Sequence, residues 1–107
     1  MNLSVKDRIL LIAFLPKEGD LLTQILVKDV RNKTELTQKE LLDCDFKVVD
    51  SGYVWDDKKA KNKVVDFTGK ELELLKSGVE RLDKENKITQ DILELCLKIK
   101  EQLIEIR

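Results

Sequence analysis

The stretch LTQKELLDCDFKVVDSGYVWD, residues 36–56, contains a predicted helix and then a predicted β-hairpin, and this succession decides the fold class. Thr37 and Glu40 have the spacing of a capping box, in which each side chain accepts a hydrogen bond from the other residue's backbone N–H, so a helix begins here. From residue 46 onward, β-branched and aromatic residues alternate with others around Ser51-Gly52, which is typical of a hairpin. A helix followed by a hairpin predicts an α+β fold.

The position of the turn predicts how the two hairpin strands pair. With Ser51-Gly52 as the turn, the opposed pairs are Val49 with Val54, Val48 with Trp55, and Lys47 with Asp56. A polar loop, residues 57–62, separates the hairpin from KVVDF, residues 63–67. This last segment is predicted to add a third strand, because a three-stranded antiparallel sheet is more stable than a lone hairpin.

Helices are predicted on the N-terminal side of this stretch. Ser4 with Asp7 opens a helix over residues 5–15, Pro16 ends it, and Asp20 caps the next one. The segment PKEGD between them lacks the extra glycines, the Lys-Ser/Thr pair and the preceding strand that a phosphate-binding loop needs, so it is predicted to be a joint between helices. The second helix has an apolar stripe at helical spacing, made of Leu22, Ile25, Leu26 and Val30.

On the C-terminal side, Thr68 with Glu71 forms another capping box, while Thr89 caps the last helix less completely. The two predicted helices have packing seams formed by Leu72, Leu75, Val79 and Leu82, and by Ile92, Cys96, Ile99, Leu103 and Ile106. The short polar turn DKENK makes them antiparallel neighbours. The sequence thus predicts one mainly helical α+β domain, with two or three helices in 1–45, a hairpin or small antiparallel sheet in 46–67 and a helical hairpin in 68–107.

Composition excludes several classes of function. The 107 residues carry a formal net charge of −1 and no histidine, so the usual general base and the commonest metal ligand are both missing. Cys44 and Cys96 are far apart in the chain and form no zinc motif. The apolar run at residues 9–15 is too short to cross a bilayer. We therefore predict a cytoplasmic protein that is not an enzyme, with no catalytic residue, metal or cofactor and no membrane association.

The candidate partner-binding residues lie on the hairpin and in the loop after it. Tyr53 and Trp55 are the only Tyr and Trp of the chain, and both types are enriched at binding hot spots. The alternative, which is common for Trp, is that they pack on a helix. The loop adds four lysines as candidates, which are Lys58, Lys59, Lys61 and Lys63. A charge run of this kind is more often a solvated loop, but these lysines could also contact phosphates.

Helices followed by a hairpin also suggest a winged helix-turn-helix, in which the second helix reads DNA. The corresponding segment here, TQKELLDCD, has one lysine against three acidic residues and no arginine or asparagine to read bases. Nucleic-acid binding is therefore not favoured.

The last helix, residues 89–106, has more apolar surface than one neighbour needs. Leu93, Leu97 and Ile104 form a second stripe beside its seam. Either the N-terminal helices cover this stripe, or it mediates self-association of the chain into a homo-oligomer or binds in the groove of a partner.

Two segments, VKDRILLIAFLPKEGDLLTQILVKDVRNKTELTQKEL and FTGKELELLKSGVERLDKENKIT, carry a resemblance to small proteins encoded by bacteriophages and prophages. The resemblance covers most of the chain and implies no catalytic residues. It implies a setting, since many small phage proteins bind and block host proteins, including antiviral defence components, and some others sequester nucleotide signals.

The leading hypothesis is a non-enzymatic protein-interaction module, a phage-encoded inhibitor or regulator of a host protein. The alternatives are a winged-helix-like regulator that binds nucleic acid, and an oligomeric sponge that holds the phosphates of a nucleotide through Lys58 to Lys63.

Overall fold

The structure is a computed structural model and describes residues 1–102. As the sequence predicted, it is α+β and mainly helical. The strands are β1 (Asn2–Leu3), β2 (Lys47–Val49), β3 (Gly52–Val54) and β4 (Lys63–Val64). The helices are α1 (Val5–Leu10), α2 (Leu21–Thr34), α3 (Gln38–Asp43), α4 (Gly69–Lys84) and α5 (Gln90–Lys100), and a 3₁₀ helix (Leu11–Phe14) continues α1. Of the predicted seam residues, Leu103 and Ile106 lie outside the described residues.

The helix starts are the ones that the sequence predicts. Ser4 with Asp7, Thr37 with Glu40 and Thr68 with Glu71 form complete capping boxes at α1, α3 and α4. Asp20 caps α2 by accepting a hydrogen bond from the backbone N–H of Thr23 at 2.7 Å. The segment between the 3₁₀ helix and α2 is therefore a joint between helices, as predicted.

The predicted three-stranded sheet is wrong. β4 forms an antiparallel pair with β1, and the β2–β3 hairpin is a separate two-stranded sheet. The N-terminal ammonium of Met1 donates to the Val65 carbonyl oxygen at 2.8 Å and extends the β1–β4 pair. Leu3 of β1 and Val65, which directly follows β4, are both buried in the core.

The predicted hairpin register is also wrong, although the hairpin itself is present. Lys47 pairs with Val54, Val48 with Tyr53, and Val49 with Gly52. The turn is at Asp50-Ser51, because Gly52 belongs to β3 and has a φ of 132°, which glycine adopts readily. Tyr53 and Val54 thus each meet a partner two residues away from the predicted one. A two-residue shift preserves the faces, so Val48 and Tyr53 remain on one side of the hairpin.

The opposed pair predicted for Lys47 and Asp56 does not form. The backbone N–H of Asp56 instead donates to the Cys44 carbonyl oxygen at 2.8 Å.

One hydrophobic core joins the two ends of the chain. It includes Leu3, the 3₁₀ helix and the facing sides of α2, α4 and α5. The predicted seams are confirmed for the described residues, since all their members are buried: Leu72, Leu75, Val79, Leu82, Ile92, Cys96 and Ile99. On α2 the buried face is Val27, Val30 and Thr34, whereas Leu22 and Ile25 of the predicted stripe are exposed.

Gly78 permits a close contact between α4 and the 3₁₀ helix in this core. A Cβ atom at this position of α4 would lie 2.1 Å from the carbonyl oxygen of Phe14 and 2.8 Å from its carbonyl carbon. Arg81, one turn later, donates to the Ala13 carbonyl oxygen at 3.1 Å. Since the obstacle is backbone, no side chain can move aside, and α4 can pack on the 3₁₀ helix only with glycine here.

In the described part of the chain, none of the helices combines the length and the apolar character required to cross a membrane.

Candidate functional site

The β2–β3 hairpin exposes apolar side chains on both of its faces. Val48 and Tyr53, on one face, are 74% and 54% exposed. Val49 and Val54, on the other face, are exposed as well. An isolated two-stranded hairpin is only marginally stable in water, so this element depends on contacts at its base.

Aromatic stacking supplies part of that support. The ring of Phe46, just before β2, stacks on Trp55 with centroids 6.0 Å apart and planes inclined by 11°. Its centroid lies 5.3 Å from that of Tyr53. The indole Nε1 of Trp55 donates to the Asp57 carboxylate at 2.6 Å. Trp55 is thus half-buried within the hairpin's own aromatic cluster, while Tyr53 stays largely exposed.

A groove of about 770 Å³ lies between α1, α2 and the hairpin, and we call it the α2 groove. Its base includes the buried side chains of Arg8, Val27 and Thr34. Lys28 and Arg31 are exposed along α2. The other lining residues are Ile9, Ile12, Gln24, Asn32, Glu35, Leu36, Phe46 and Tyr53.

The base of the groove is held by the buried guanidinium of Arg8. Its Nε donates to the Thr34 carbonyl oxygen at 2.9 Å, and its Nη2 donates to the Glu35 carbonyl oxygen at 2.6 Å. Nη1 and Nη2 also donate to the two carboxylate oxygens of Glu40, the latter at 3.0 Å. Carbonyl groups at the C-terminus of a helix lack intrahelical partners, so the cation satisfies the end of α2 and binds it to the start of α3.

This contact lowers the pKa of Glu40. The hydrogen bond from Arg8 holds the pKa of the carboxyl group at about 2, and the backbone N–H of Thr37 contributes to the shift. Glu40 therefore remains charged at any pH near neutrality, and the contact at the base of the groove stays intact.

Each capping-box acid binds a cation that is distant in the sequence. Besides Glu40 with Arg8, Asp7 accepts from Lys98 at 2.7 Å, and Glu71 accepts from Lys33 at 2.6 Å. Burial alone would raise the pKa of Asp7, but the hydrogen bonds from Lys98 and Ser4 outweigh it and lower that pKa. The caps thus also connect elements that are far apart in the chain.

The sequence indicated the three acids but not their cations. The burial of Arg8 could have been recognised in the sequence, because this residue of α1 lies between Val5 and Leu11 in an otherwise apolar stripe.

Three of the four candidate lysines line a different cavity from the one that Tyr53 lines. Lys59 donates to the Asp45 carboxylate at 2.8 Å, and this contact lowers the pKa of Asp45. Lys59, Lys61 and Lys63 line a cavity of about 190 Å³, whose wall also contains Glu40 and Asp43. The backbone N–H of Lys58 donates a hydrogen bond to the carboxylate of Asp56 at 3.0 Å. Tyr53 lines the α2 groove instead.

The residues proposed for self-association are only partly described. On α5, Leu97 is exposed and Leu93 is half-buried, while Ile104 lies outside the described residues.

The thiols and the potential metal ligands show no arrangement that suggests chemistry. Cys44 and Cys96 are both free and buried, and burial raises the pKa of the Cys96 thiol. Within residues 1–102, no group of His, Cys, Asp and Glu side chains could hold a metal ion.

Comparison of the chain with protein-family models, with curated proteins and with solved structures gave no match of any of the three kinds. The resemblance to small bacteriophage proteins therefore stays a prediction, and the function has to be inferred from the geometry.

Proposed function

We propose that the protein is a non-enzymatic module that binds another protein through the hairpin and the adjoining α2 groove. One observation supports this most: the hairpin exposes apolar side chains on both faces, next to a groove whose base is fixed by buried hydrogen bonds. Contiguous exposed apolar surface of this kind marks interaction sites in soluble proteins. Tyr53 extends the surface with a residue type that is common at binding hot spots.

The rigidity of the base favours binding. Arg8 orders the C-terminus of α2 and the start of α3, and the chain enters the hairpin directly after α3. A surface that is already ordered loses less conformational entropy when a partner binds. The finer hypothesis, that the partner is a host protein which the chain inhibits, rests on the resemblance to phage proteins alone.

The alternative functions find less support. The short helix α3 is poorly suited to bind in a DNA groove. It has only six residues, its Glu40 is bound to Arg8, and its Asp43 is exposed. The lysine loop is poorly suited to bind phosphates, because the carboxylates of Asp45, Glu40 and Asp43 lie beside it. Negative groups at such positions repel a phosphate.

A matched pair of variants tests the proposal. The first, Val48→Thr with Tyr53→Thr, removes apolar area from the hairpin and keeps strand-forming residues. The control, Leu42→Gln with Val64→Thr, changes two side chains that are each 72% exposed and do not line the groove. Each immobilised protein is incubated with a bacterial lysate, and the bound proteins are identified by mass spectrometry.

We expect the unmodified chain and the control to capture the same protein, and the hairpin variant to lose it. Equal capture by all three proteins, or no specific capture by any, would count against the proposed function. Circular dichroism melting curves verify that each variant is folded.

A further inference from the structure

We propose that the occupant of the α2 groove is a short amphipathic helix of the partner, with acidic residues along its flank. The inference rests on the proposed function and specifies the chemistry of the partner segment.

The length of the groove suits a short helix. Its lining runs along α2 from Gln24 to Glu35, which at 1.5 Å per residue is about 16 Å. An α-helix of about three turns has this length. The lining offers apolar contacts from three elements: Val27 of α2 at the base, Ile12 of the 3₁₀ helix and Tyr53 of the hairpin. A helix with apolar anchors one turn apart meets such a groove with one continuous stripe.

The polar groups that line the groove favour a helix over an extended peptide. The Arg8 guanidinium already donates to two carbonyl oxygens and to Glu40, and the Thr34 hydroxyl donates to the Val30 carbonyl oxygen at 2.9 Å. The Gln24 amide donates to the Pro16 carbonyl oxygen at 3.3 Å. Beside these groups the lining offers Asn32, Lys28 and Arg31, which are too few to pair all the N–H and C=O groups of an extended backbone about 16 Å long. Groups left unpaired cost free energy, whereas a helix pairs them internally.

The charged residues that line the groove indicate that the flank of the bound helix is acidic. Lys28 and Arg31 are exposed one turn apart on α2, and neither forms an ion pair with any other residue in 1–102. Arg8 and Glu40 neutralise each other, so Glu35 is the one lining carboxylate that opposes these two cations. Two cations beside an apolar groove attract an anionic segment and repel a cationic one.

The test uses three synthetic fluorescein-labelled peptides of equal length. The first is a stapled helix with leucines one turn apart and glutamates on the flank, and the second replaces those glutamates by lysines. The third peptide has the residues of the first rearranged into alternating order, with one central residue replaced by proline, so that it is extended. Fluorescence anisotropy measures the Kd of each peptide for the full chain at low and at physiological salt.

We expect the acidic helix to bind roughly tenfold or more tightly than either other peptide, with a preference that weakens as salt rises. Lys28→Glu with Arg31→Glu should abolish that preference. The matched control Lys70→Glu with Lys84→Glu makes the same change of charge on exposed residues of α4 and should leave it intact.

Tighter binding of the extended peptide would overturn the inference in favour of strand addition to an edge of the hairpin. Equal binding of the acidic and basic helices, or a preference that survives the charge reversal at Lys28 and Arg31, would overturn it as well. The failure of this inference can be told apart from that of the proposed function. If lysate capture depends on Val48 and Tyr53 but not on Lys28 and Arg31, the binding surface stands and its proposed occupant is wrong.

Discussion

In the helical body, α4 approaches the 3₁₀ helix so closely that a single Cβ at Gly78 would collide with the backbone of Phe14, and the apolar seams of α4 and α5 are buried. In the β2–β3 hairpin, Val48, Val49, Tyr53 and Val54 are all exposed. The buried seams of the body therefore serve the fold, although α2 also exposes Leu21, Leu22 and Ile25. In the hairpin, by contrast, the apolar side chains of both faces are exposed, and most of this surface contributes little to folding. A part of a small protein that leaves apolar surface unused for stability is the part most available to a partner.

The polar contacts show the same contrast. Within residues 1–102, every buried side-chain nitrogen and oxygen has a hydrogen-bond partner, and the three capping-box acids bind cations from distant elements. Near the hairpin, Lys59 and Asp45 form an ion pair in which both side chains are exposed. Exposed pairs of this kind contribute little to stability.

The largest expected effect is that of Gly78→Ala. Alanine normally stabilises a helix relative to glycine, but here its Cβ would meet the Phe14 carbonyl group and force α4 away from the 3₁₀ helix. We expect the free energy of unfolding to fall by about 3 kcal/mol, as for a severely overpacked core. Urea denaturation measures it, with Ser77→Ala at the exposed neighbouring position as the control. A more stable Gly78→Ala protein would contradict the close crossing.

The next effect is the loss of the buried cation. Arg8→Met keeps much of the side-chain volume but removes the hydrogen bonds that Arg8 donates to the Glu40 carboxylate and to the carbonyls of Thr34 and Glu35. We expect a loss of about 2–3 kcal/mol, since hydrogen bonds to charged groups are among the stronger ones. Lys6→Met, which removes an exposed cation of the same helix that lies 3.9 Å from Asp91, should cost less than about 0.5 kcal/mol. Similar losses in the two variants would show that Arg8 does not hold the end of α2.

A smaller effect depends on pH. Because Arg8 lowers the pKa of Glu40 from 4.5 to about 2, the carboxylate stabilises the fold fully above its unfolded-state pKa. That contribution is lost as the pH falls from about 4.5 towards 2. Glu40→Gln removes the charge and keeps a similar shape. We expect this variant to be less stable than the unmodified chain by about 1–2 kcal/mol at pH 6, with the difference shrinking towards pH 2. Denaturation at several pH values measures the difference, and one that is constant with pH would contradict the shifted pKa.

The features that sequence analysis predicted are those set by neighbouring residues. The capping boxes span four residues and the helical seams repeat within two turns, so both could be recognised without knowledge of the fold. The pairing of β4 with β1 could not, because it joins residues about sixty positions apart and the strands have two residues each. The hairpin register depended on whether Gly52 lies in the turn or in the strand, and the prediction placed it in the turn, whereas it begins β3.

The candidate site was predicted only in part. Tyr53 does line a groove, but no pattern in the sequence indicated that α2 also lines it or that Phe46 joins the aromatic cluster. The burial of Arg8 could have been suspected from its place in an apolar stripe. That Lys28 and Arg31 form no ion pair within residues 1–102, in contrast, could not be predicted, since Asp29 and Glu35 are near them in sequence.

The most direct measurement for the contrast between body and hairpin is the free energy of unfolding of the Val48→Thr, Tyr53→Thr variant, measured by urea denaturation. Val48 and Tyr53 are mostly exposed, and the variant removes the aromatic contact between Tyr53 and Phe46, a kind of pair that contributes about 1 kcal/mol. We therefore expect a loss of about 1 kcal/mol or less, well below that of Gly78→Ala. A loss of about 3 kcal/mol, equal to that of the core variant, would show that these side chains serve the fold, and would contradict their assignment to a binding surface.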